Sequence, residues 1–335
     1  MSAIHGGRLF AIARERGWNW RDILDFSASI NPLGPSPGVL ETIRTAACEI
    51  VNYPESHPSE LTEALASVWS VNPEEILLGN GATDLIHFLA GQFRDQQVTL
   101  CVPIFSEFHR VFPNATFDSA DQPDLWPASG VTALTRPVNP TGVVPACEDW
   151  LVRTTHPVIV DESFIEFTDA PSLTALIATR PNLIVLRSLT KFYAIPGLRV
   201  GAIVAAPDHI AHWKQLRDPW SVNVLAIRAA FAAIADKDHG CRTLHTVRTE
   251  REWLAHELSG LDGVTVHPSA ANFLFVRLPC LAATLAEFLE DRKILIRNCT
   301  GWPGIDGDNA VRIAVRTRPD NERLVAAWRE FKCAS

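Results

Sequence analysis

Short apolar runs alternate with amphipathic segments over the first two thirds of the chain. The runs cover residues 76–78, 98–102, 158–160, 183–186 and 200–204, and segments with helical spacing cover residues 60–69, 83–93 and 171–179. Strands that alternate with helices are typical of an α/β domain with a largely parallel sheet. Its strands are almost continuously apolar because helices cover both faces of such a sheet.

From about residue 236 the pattern changes. A long helical stretch, residues 240–258, precedes short apolar runs at 264–266, 273–276, 294–296 and 311–315, and further helical patterns cover 281–292 and 320–331. This order predicts a second, smaller α+β domain. The segment 31–35, rich in Pro and Gly, predicts an irregular loop. We therefore expect two lobes with a cleft between them.

Composition agrees with a globular chain and excludes some classes of protein. The 335 residues are 47% hydrophobic and 20% charged, which excludes a disordered, collagen-like or coiled-coil chain. The net charge of −8 argues against a non-specific polyanion binder, so we expect no nucleic-acid partner. An anionic ligand must then be held by local donors.

The N-terminus and the cysteines predict a cytoplasmic protein. The first residues lack the apolar core of a signal peptide, and the most apolar stretch, 222–235, is short and contains Arg228, so we expect no membrane association. Seven cysteines are spread singly along the chain. This spacing favours reduced thiols over disulfides or a metal site.

Two loops that follow predicted strands carry candidate chemistry, because ligands of α/β sheets bind beyond the carboxyl ends of the strands. Gly79-Asn80-Gly81-Ala82-Thr83-Asp84 opens a predicted helix and could present backbone N–H groups to a phosphate. On this motif alone, a tight turn with a helix cap is the favoured interpretation. Asp161 follows residues 158–160 and could face a metal, a cationic ring nitrogen or an arginine, or be a simple turn residue.

A third loop holds a lysine among donors and apolar residues. Lys191 follows the run 183–186, and loss of solvation there would lower its pKa and leave a nucleophilic amine. Ser188, Thr190 and Arg199 add donors for a phosphate. A lone lysine is usually a solvated surface residue. The many donors and apolar residues around Lys191 in the sequence argue against that interpretation here.

Together these loops match what a protein must supply to pyridoxal phosphate: an amine, an acid for the ring nitrogen and a phosphate cradle. Asn139 adds an amide for the cofactor's phenolic oxygen. Phe105 could stack on the ring. Phe108 is the competing candidate, and either ring could be ordinary core.

The chain resembles the fold-type I pyridoxal-phosphate enzymes of the histidinol-phosphate aminotransferase branch. Within that branch it is most similar to the threonine-phosphate decarboxylases of cobalamin biosynthesis. The strongest stretches are DFSASINPLG at residues 25–34 and RSLTKFYAIPGLR at residues 187–199. His5-Gly6-Gly7 and Pro219-Trp220-Ser221-Val222-Asn223 point to the decarboxylase group.

The resemblance implies an α/β fold with a mainly parallel seven-stranded sheet, flanked by helices, in a large domain over residues 36–235. Residues 1–35 would form an N-terminal arm that joins the small domain, and residues 236–335 would form the rest of that domain.

The resemblance also implies how the cofactor would be held. Lys191 would bind it covalently, and Asp161 would keep the pyridine nitrogen protonated. Asn139 would bond the phenolic oxygen, and Phe105 would stack on the ring. The remaining cofactor residues would hold the phosphate: Gly81, Ala82, Ser188, Thr190 and Arg199 within the chain, with Tyr53 reaching the site of a second copy in a homodimer.

For the substrate, a small phosphorylated amino acid, Arg312 matches the arginine that contacts a carboxylate or phosphate. Weaker candidates for the same pocket are His5, Asn31, Arg316 and Arg323. The sequence departs from aminotransferase relatives at Phe164, where Tyr is common, and at Phe105, where Tyr is also found. The region between Phe117 and Arg136 is short and rich in Pro.

We expect decarboxylation of O-phospho-L-threonine. The alternative is an aminotransferase that acts on histidinol phosphate or a related amino acid. A third possibility, a pyridoxal-phosphate fold used only as a binding module, is disfavoured by the presence of both Lys191 and Asp161.

Overall fold

The computed structural model describes residues 7–332, and its strands form three sheets. The strands are β1 (Leu24–Asp25), β2 (Ile76–Gly79), β3 (Val98–Val102), β4 (Thr116–Ser119), β5 (Val131–Thr135), β6 (Val158–Asp161), β7 (Leu183–Ser188), β8 (Gly201–Ala205), β9 (Thr265–Val266), β10 (Phe273–Arg277), β11 (Ile294–Leu295), β12 (Arg297–Asn298) and β13 (Ala310–Ala314).

The largest sheet has seven strands in the order β2-β8-β7-β6-β5-β3-β4. The pairs from β7 through β4 are parallel, whereas β8 runs antiparallel to both of its neighbours. The predicted α/β architecture with a mainly parallel seven-stranded sheet is confirmed. Two of its strands, β4 and β5, were not predicted from the pattern of apolar runs. The edge strand β4 is largely exposed, and threonines interrupt the apolar run of β5.

Helices cover this sheet and surround the smaller ones. They are α1 (Leu9–Arg16), α2 (Pro37–Ala46), α3 (Ser59–Trp69), α4 (Gly81–Gln92), α5 (Ser106–Val111), α6 (Glu148–Arg153), α7 (Leu189–Phe192), α8 (Pro207–Leu216), α9 (Val224–Ala235), α10 (Lys237–Ser259), α11 (Ala282–Glu290) and α12 (Arg318–Glu330). The predicted helix at 171–179 is instead a 3₁₀ helix, Leu173–Thr179. Its β-branched Thr and Ile residues weaken the preference for an α-helix.

The smaller sheets join the two ends of the chain. Strands β12, β13, β10 and β9 form an antiparallel sheet, and β1 pairs in parallel with β11. The predicted strand at 294–296 is therefore divided, since Ile294 and Leu295 pair with β1 while Arg297 pairs with β13. The register of β12 and β13 sets Arg297 opposite Arg312.

Each face of the large sheet has its own apolar core. Along β7, Leu183 and Val185 pack in one cluster, whereas Ile184 and Leu186 pack in the other. This alternation explains the unbroken apolar runs, because both faces of the strand are buried. A third cluster, which includes Phe26, Leu274 and Ile313, fills the region of the small sheet.

Two further findings bear on the class of protein. Among the helices of residues 7–332, none has the length and apolar character needed to cross a membrane. The cysteines of that range are all free thiols, and its His, Cys, Asp and Glu residues form no group suited to a metal ion.

Candidate active site

A cavity of about 670 Å³ opens at the carboxyl ends of β5, β6 and β7. The N-terminal segment and the small sheet complete its wall, so both ends of the chain reach it. Most of the predicted site residues line this cavity: Ala82, Phe105, Asn139, Asp161, Ser188, Thr190, Lys191, Arg199, Arg312 and Arg316.

Lys191 lies on the short helix α7, directly after β7. Its Nζ donates to Thr190 Oγ1 at 2.9 Å, and the Thr190 hydroxyl lies 2.8 Å from that of Ser188. Loss of solvation, reinforced by the charge of Arg199, lowers the pKa of Lys191 to about 8. At pH 7 roughly a tenth of the amine is therefore neutral, far more than for an ordinary lysine, and the neutral form is the nucleophile toward a carbonyl.

Asp161 is the last residue of β6 and is buried. The Ser163 backbone N–H and hydroxyl donate to its Oδ1 at 2.9 and 2.5 Å. Burial raises the pKa of Asp161, while the Ser163 bonds and the charge of Lys191 oppose that rise. Among the described residues both bonds end on Oδ1, so that Oδ2 is available to a cationic ring N–H at the cavity.

A cradle for an anion lies where α4 begins. Gly81 has a φ of +82°, a left-handed conformation that favours glycine, and a Cβ built there would meet the Arg199 guanidinium. A larger residue would therefore strain the backbone and displace Arg199. Ala82 and Thr83 from the first turn of α4, together with the hydroxyls described above, line the cavity beside Arg199. Backbone donors at a helix N-terminus and an arginine suit a phosphate.

Asn139 and Arg312 connect the two sides of the cavity. The Arg312 guanidinium donates to Asn139 Oδ1 at 2.7 Å and to the Ser27 carbonyl at 2.6 Å. Because Asn139 accepts with Oδ1, its Nδ2 remains a donor for a ligand oxygen. Burial lowers the pKa of Arg312 to about 10, so the group stays positively charged at neutral pH.

The two aromatic candidates for stacking on the cofactor ring, Phe105 and Phe108, occupy different environments. Phe105 lines the cavity, whereas Phe108 is fully buried in the core. Phe164 also lines the cavity, with its ring edge-to-face against Phe273 and its centroid 6.0 Å from Lys191 Nζ. A phenylalanine there offers an apolar surface and no hydroxyl to the ligand.

Three arginines from the small sheet and its end supply positive charge to the cavity. Arg316 is paired with Asp320 at 3.0 Å. For Arg297 and Arg312, no carboxylate of residues 7–332 lies within ion-pair distance. The Arg297 guanidinium instead stacks over the Trp302 ring at 5.3 Å. Asp25 also lines the cavity and acts electrostatically on Arg312, but it forms no ion pair with either group. Two neighbouring guanidinium groups without an ion-pair partner favour a ligand with strong negative charge.

Several predicted residues lie elsewhere. Asn31 is buried but does not line the cavity, because its side chain is bonded to Phe192 and Thr243. Arg323 is exposed on α12 and does not reach the cavity. Tyr53 is also exposed and packs against Trp220 of its own chain, with ring centroids 4.7 Å apart.

The two remaining predicted positions are Gly81 and His5. Gly81 lies beneath Arg199 and shapes the cradle without lining the cavity itself. His5 lies outside the described residues.

The prediction missed several cavity residues, above all Arg297, Trp302 and Asp25. Arg297 directly follows the apolar run 294–296, and its only sequence signal is that position at the end of a predicted strand. Its partnership with Arg312 depends on the register of antiparallel strands, which the sequence pattern does not contain. Trp302 lies in an irregular loop and carries no comparable signal.

Comparison with known proteins identifies the family. The model of the class I and II aminotransferases matches residues 21–327. Threonine-phosphate decarboxylase of Salmonella typhimurium is 34% identical over 98% of this chain and 96% of that protein. Histidinol-phosphate aminotransferase of Haloarcula marismortui is 31% identical over 95% and 92%.

A solved structure agrees with these relatives. The crystal structure of L-threonine-O-3-phosphate decarboxylase from Porphyromonas gingivalis aligns with a TM-score of 0.84 and 28% identity, over 92% of this chain and 99% of that one. The chain therefore belongs to the class I and II aminotransferase family and is an enzyme that depends on pyridoxal 5′-phosphate.

The cavity fits this cofactor. The cradle at the start of α4, lined by Ala82 and Thr83, would hold its phosphate together with Arg199, the buried Asp161 would face its ring nitrogen, and Lys191 would bind its aldehyde carbon. These individual residue roles remain proposals.

Proposed function

We propose that this member of the family decarboxylates O-phospho-L-threonine to (R)-1-aminopropan-2-yl phosphate in cobalamin biosynthesis. The observation that carries the proposal is the pair of neighbouring guanidinium groups, Arg297 and Arg312, that share a cavity with Lys191. A substrate with both a carboxylate and a phosphate matches two cationic groups better than an amino acid with one anionic group. The near full-length similarity to a threonine-phosphate decarboxylase supports the same choice.

The proposed reaction requires a separate role from each group of cavity residues. When bound, the cofactor supplies an electron sink for the electron pair of a bond broken at the substrate Cα. Asp161 would maintain the positive charge of the ring nitrogen on which this property depends. The arginines would hold the substrate so that the bond from Cα to the carboxylate breaks and carbon dioxide leaves. Lys191 Nζ, released when the substrate amine takes its place, would deliver a proton to Cα.

Phe164 is consistent with this proposal. Its ring gives the region near Lys191 an apolar surface, and an apolar surface disfavours a carboxylate anion relative to neutral carbon dioxide. A tyrosine would add a hydroxyl there.

The competing function is transamination of histidinol phosphate or a related amino acid. The near equal identity to a histidinol-phosphate aminotransferase keeps it as a candidate. In that reaction Lys191 would remove the hydrogen from Cα, and a 2-oxo acid would be required as the acceptor of the amino group.

The test is to incubate the purified holoenzyme with O-phospho-L-threonine in the absence of any 2-oxo acid. We expect release of carbon dioxide in step with formation of the amine, and none from Lys191→Ala. A strict requirement for 2-oxoglutarate, together with turnover of histidinol phosphate, would refute decarboxylation and support the alternative.

We further propose a homodimer with shared active sites. Exposed apolar side chains are concentrated near Tyr53: Ile50, Val51, Trp220 and, on the adjoining helix α9, Phe231. A second copy of the chain would cover this surface and bring Tyr53 toward the partner's cofactor phosphate. This proposal would be contradicted if the protein sedimented as a fully active monomer and Tyr53→Phe left the cofactor affinity unchanged.

The cytoplasmic location stays a prediction.

A further inference from the structure

The helix that carries Lys191 is too short to satisfy its own backbone. Helix α7 has four residues, Leu189–Phe192, and the last carbonyl groups of any helix lack partners within it. The carbonyls of Lys191 and Phe192 lie at this end. Their hydrogen bonds therefore decide how firmly the main chain of the lysine is held.

Asn31, from the distant N-terminal segment, provides donors to both carbonyls. Its backbone N–H donates to the Lys191 carbonyl at 3.0 Å, which also accepts from the Ala194 N–H at 3.3 Å, and its side-chain Nδ2 donates to the Phe192 carbonyl at 2.8 Å. The side chain is almost completely buried, with 4% of its surface exposed. It thus acts as a C-terminal cap supplied by another part of the chain.

The same side chain also connects α7 to the long helix α10. The second hydrogen of Nδ2 is donated to Thr243 Oγ1 at 2.8 Å, and that hydroxyl donates to the His239 carbonyl at 2.9 Å. Oδ1 accepts from the Leu33 N–H at 3.0 Å. Every polar atom of the Asn31 side chain is used, so its orientation is fixed.

We propose that Asn31 is a positioning residue for Lys191, an inference that rests on the proposed role of Lys191 in binding the cofactor. By holding two successive carbonyls of α7 against α10, it fixes the point from which the lysine side chain reaches toward the cofactor. The other end of the side chain is held by the Thr190 hydroxyl. Errors of about 1 Å at a reacting atom cost up to a hundredfold in rate, so a shift of this helix would alter the chemistry of the amine and not only the stability of the protein.

His239 provides a matched control. Its Nε2 lies 3.0 Å from the Gly34 carbonyl and so connects the same N-terminal loop to the same helix α10, without a bond to α7. Asn31→Ala and His239→Ala each remove side-chain hydrogen bonds between these segments. Only the first removes a bond to the lysine helix.

The experiment compares these variants in cofactor titrations and in the pH dependence of the cofactor's visible absorbance, with the melting temperature measured alongside. For Asn31→Ala we expect about tenfold weaker cofactor binding, as lost buried hydrogen bonds predict, and a shifted absorbance midpoint. For His239→Ala we expect a lower melting temperature with cofactor affinity within about twofold of wild type.

Thr243→Val keeps the test decisive if Asn31→Ala does not fold. It leaves both bonds from Asn31 to α7 in place but removes the anchor on α10, so we expect an intermediate loss of cofactor affinity and a smaller shift of the absorbance midpoint. Unchanged affinity and midpoint in Thr243→Val, or an Asn31→Ala variant that matches His239→Ala in both, would overturn the proposal.

Discussion

The two walls of the cavity are built in different ways. The cofactor wall (Asn139, Asp161, Ser188, Lys191 and Arg199) lies in loops at the ends of neighbouring strands of the large sheet or beside them. The substrate wall (Asp25, Arg297, Trp302, Arg312 and Arg316) comes from the N-terminal segment and the small sheet, which are remote in sequence.

The walls also differ in charge. In the cofactor wall a buried acid accompanies the lysine and an arginine, which suits a ligand with a cationic ring and an anionic phosphate. The substrate wall contains three guanidinium groups and a single carboxylate, that of Asp25. Asp320, the ion-pair partner of Arg316, does not line the cavity. We infer that the cofactor wall sets the chemistry common to the family, and that the substrate wall selects the substrate and the bond that breaks. Arg312, bonded to Asn139, joins them.

The largest effect is expected from Lys191→Ala in the cofactor wall. Loss of the nucleophilic amine should lower kcat by about a thousandfold or more and remove the cofactor's covalent attachment. Activity assays and borohydride trapping of the bound cofactor would measure both. Lys237→Ala, at an exposed position of α10, is the matched control and should behave as wild type.

Arg312→Met should affect both the substrate wall and the cofactor wall, because Arg312 is bonded to Asn139. It removes the proposed anchor of a substrate anion and the partner of Asn139, so we expect kcat/KM to fall about a hundredfold to a thousandfold, as for removal of one partner of a buried charge contact. Cofactor affinity should fall only a few-fold, since the other cofactor contacts remain. A variant with full activity would show that Arg312 serves structure alone.

Arg297→Met should affect the substrate wall only. We expect kcat/KM for the phosphorylated substrate to fall about tenfold to a hundredfold, the value of a hydrogen bond between charged groups, with no change in cofactor titrations. Arg323→Met, at an exposed position of α12, is the control. If Arg297→Met weakened the cofactor as much as the substrate, the separation of the two walls would be wrong.

The smallest effect is expected in the pH dependence of the rate at which the cofactor wall captures the cofactor. Because the pKa of Lys191 is lowered to about 8, the rate at which apoprotein captures the cofactor should rise with pH and level off above that value. Below it the protonated amine dominates, and the rate should fall about tenfold for each unit of pH. Stopped-flow absorbance would measure this rate, and a rise that continued to pH 10 would show that the amine is not desolvated.

The contrast also explains what the sequence can predict. Asp161 and Lys191 follow apolar runs, and parallel strands place such residues at one edge of a sheet, so local patterns were enough to bring them together. Arg297 meets Arg312 through antiparallel register, and β5 was missed because threonines interrupt its apolar run. Asn31 was assigned to the substrate pocket by resemblance, but its bonds to α7 and α10 turn it away from the cavity.

The most direct test of the central claim is to run the reaction on O-phospho-L-threonine in D₂O and analyse product and remaining substrate by mass spectrometry. If the substrate wall directs cleavage of the bond to the carboxylate, the amine product should keep the original Cα hydrogen and gain a single deuterium, and the remaining substrate should contain none. Deuterium at Cα of the remaining substrate, or a 2-oxo acid product, would show that the bond to hydrogen breaks instead and would contradict the account.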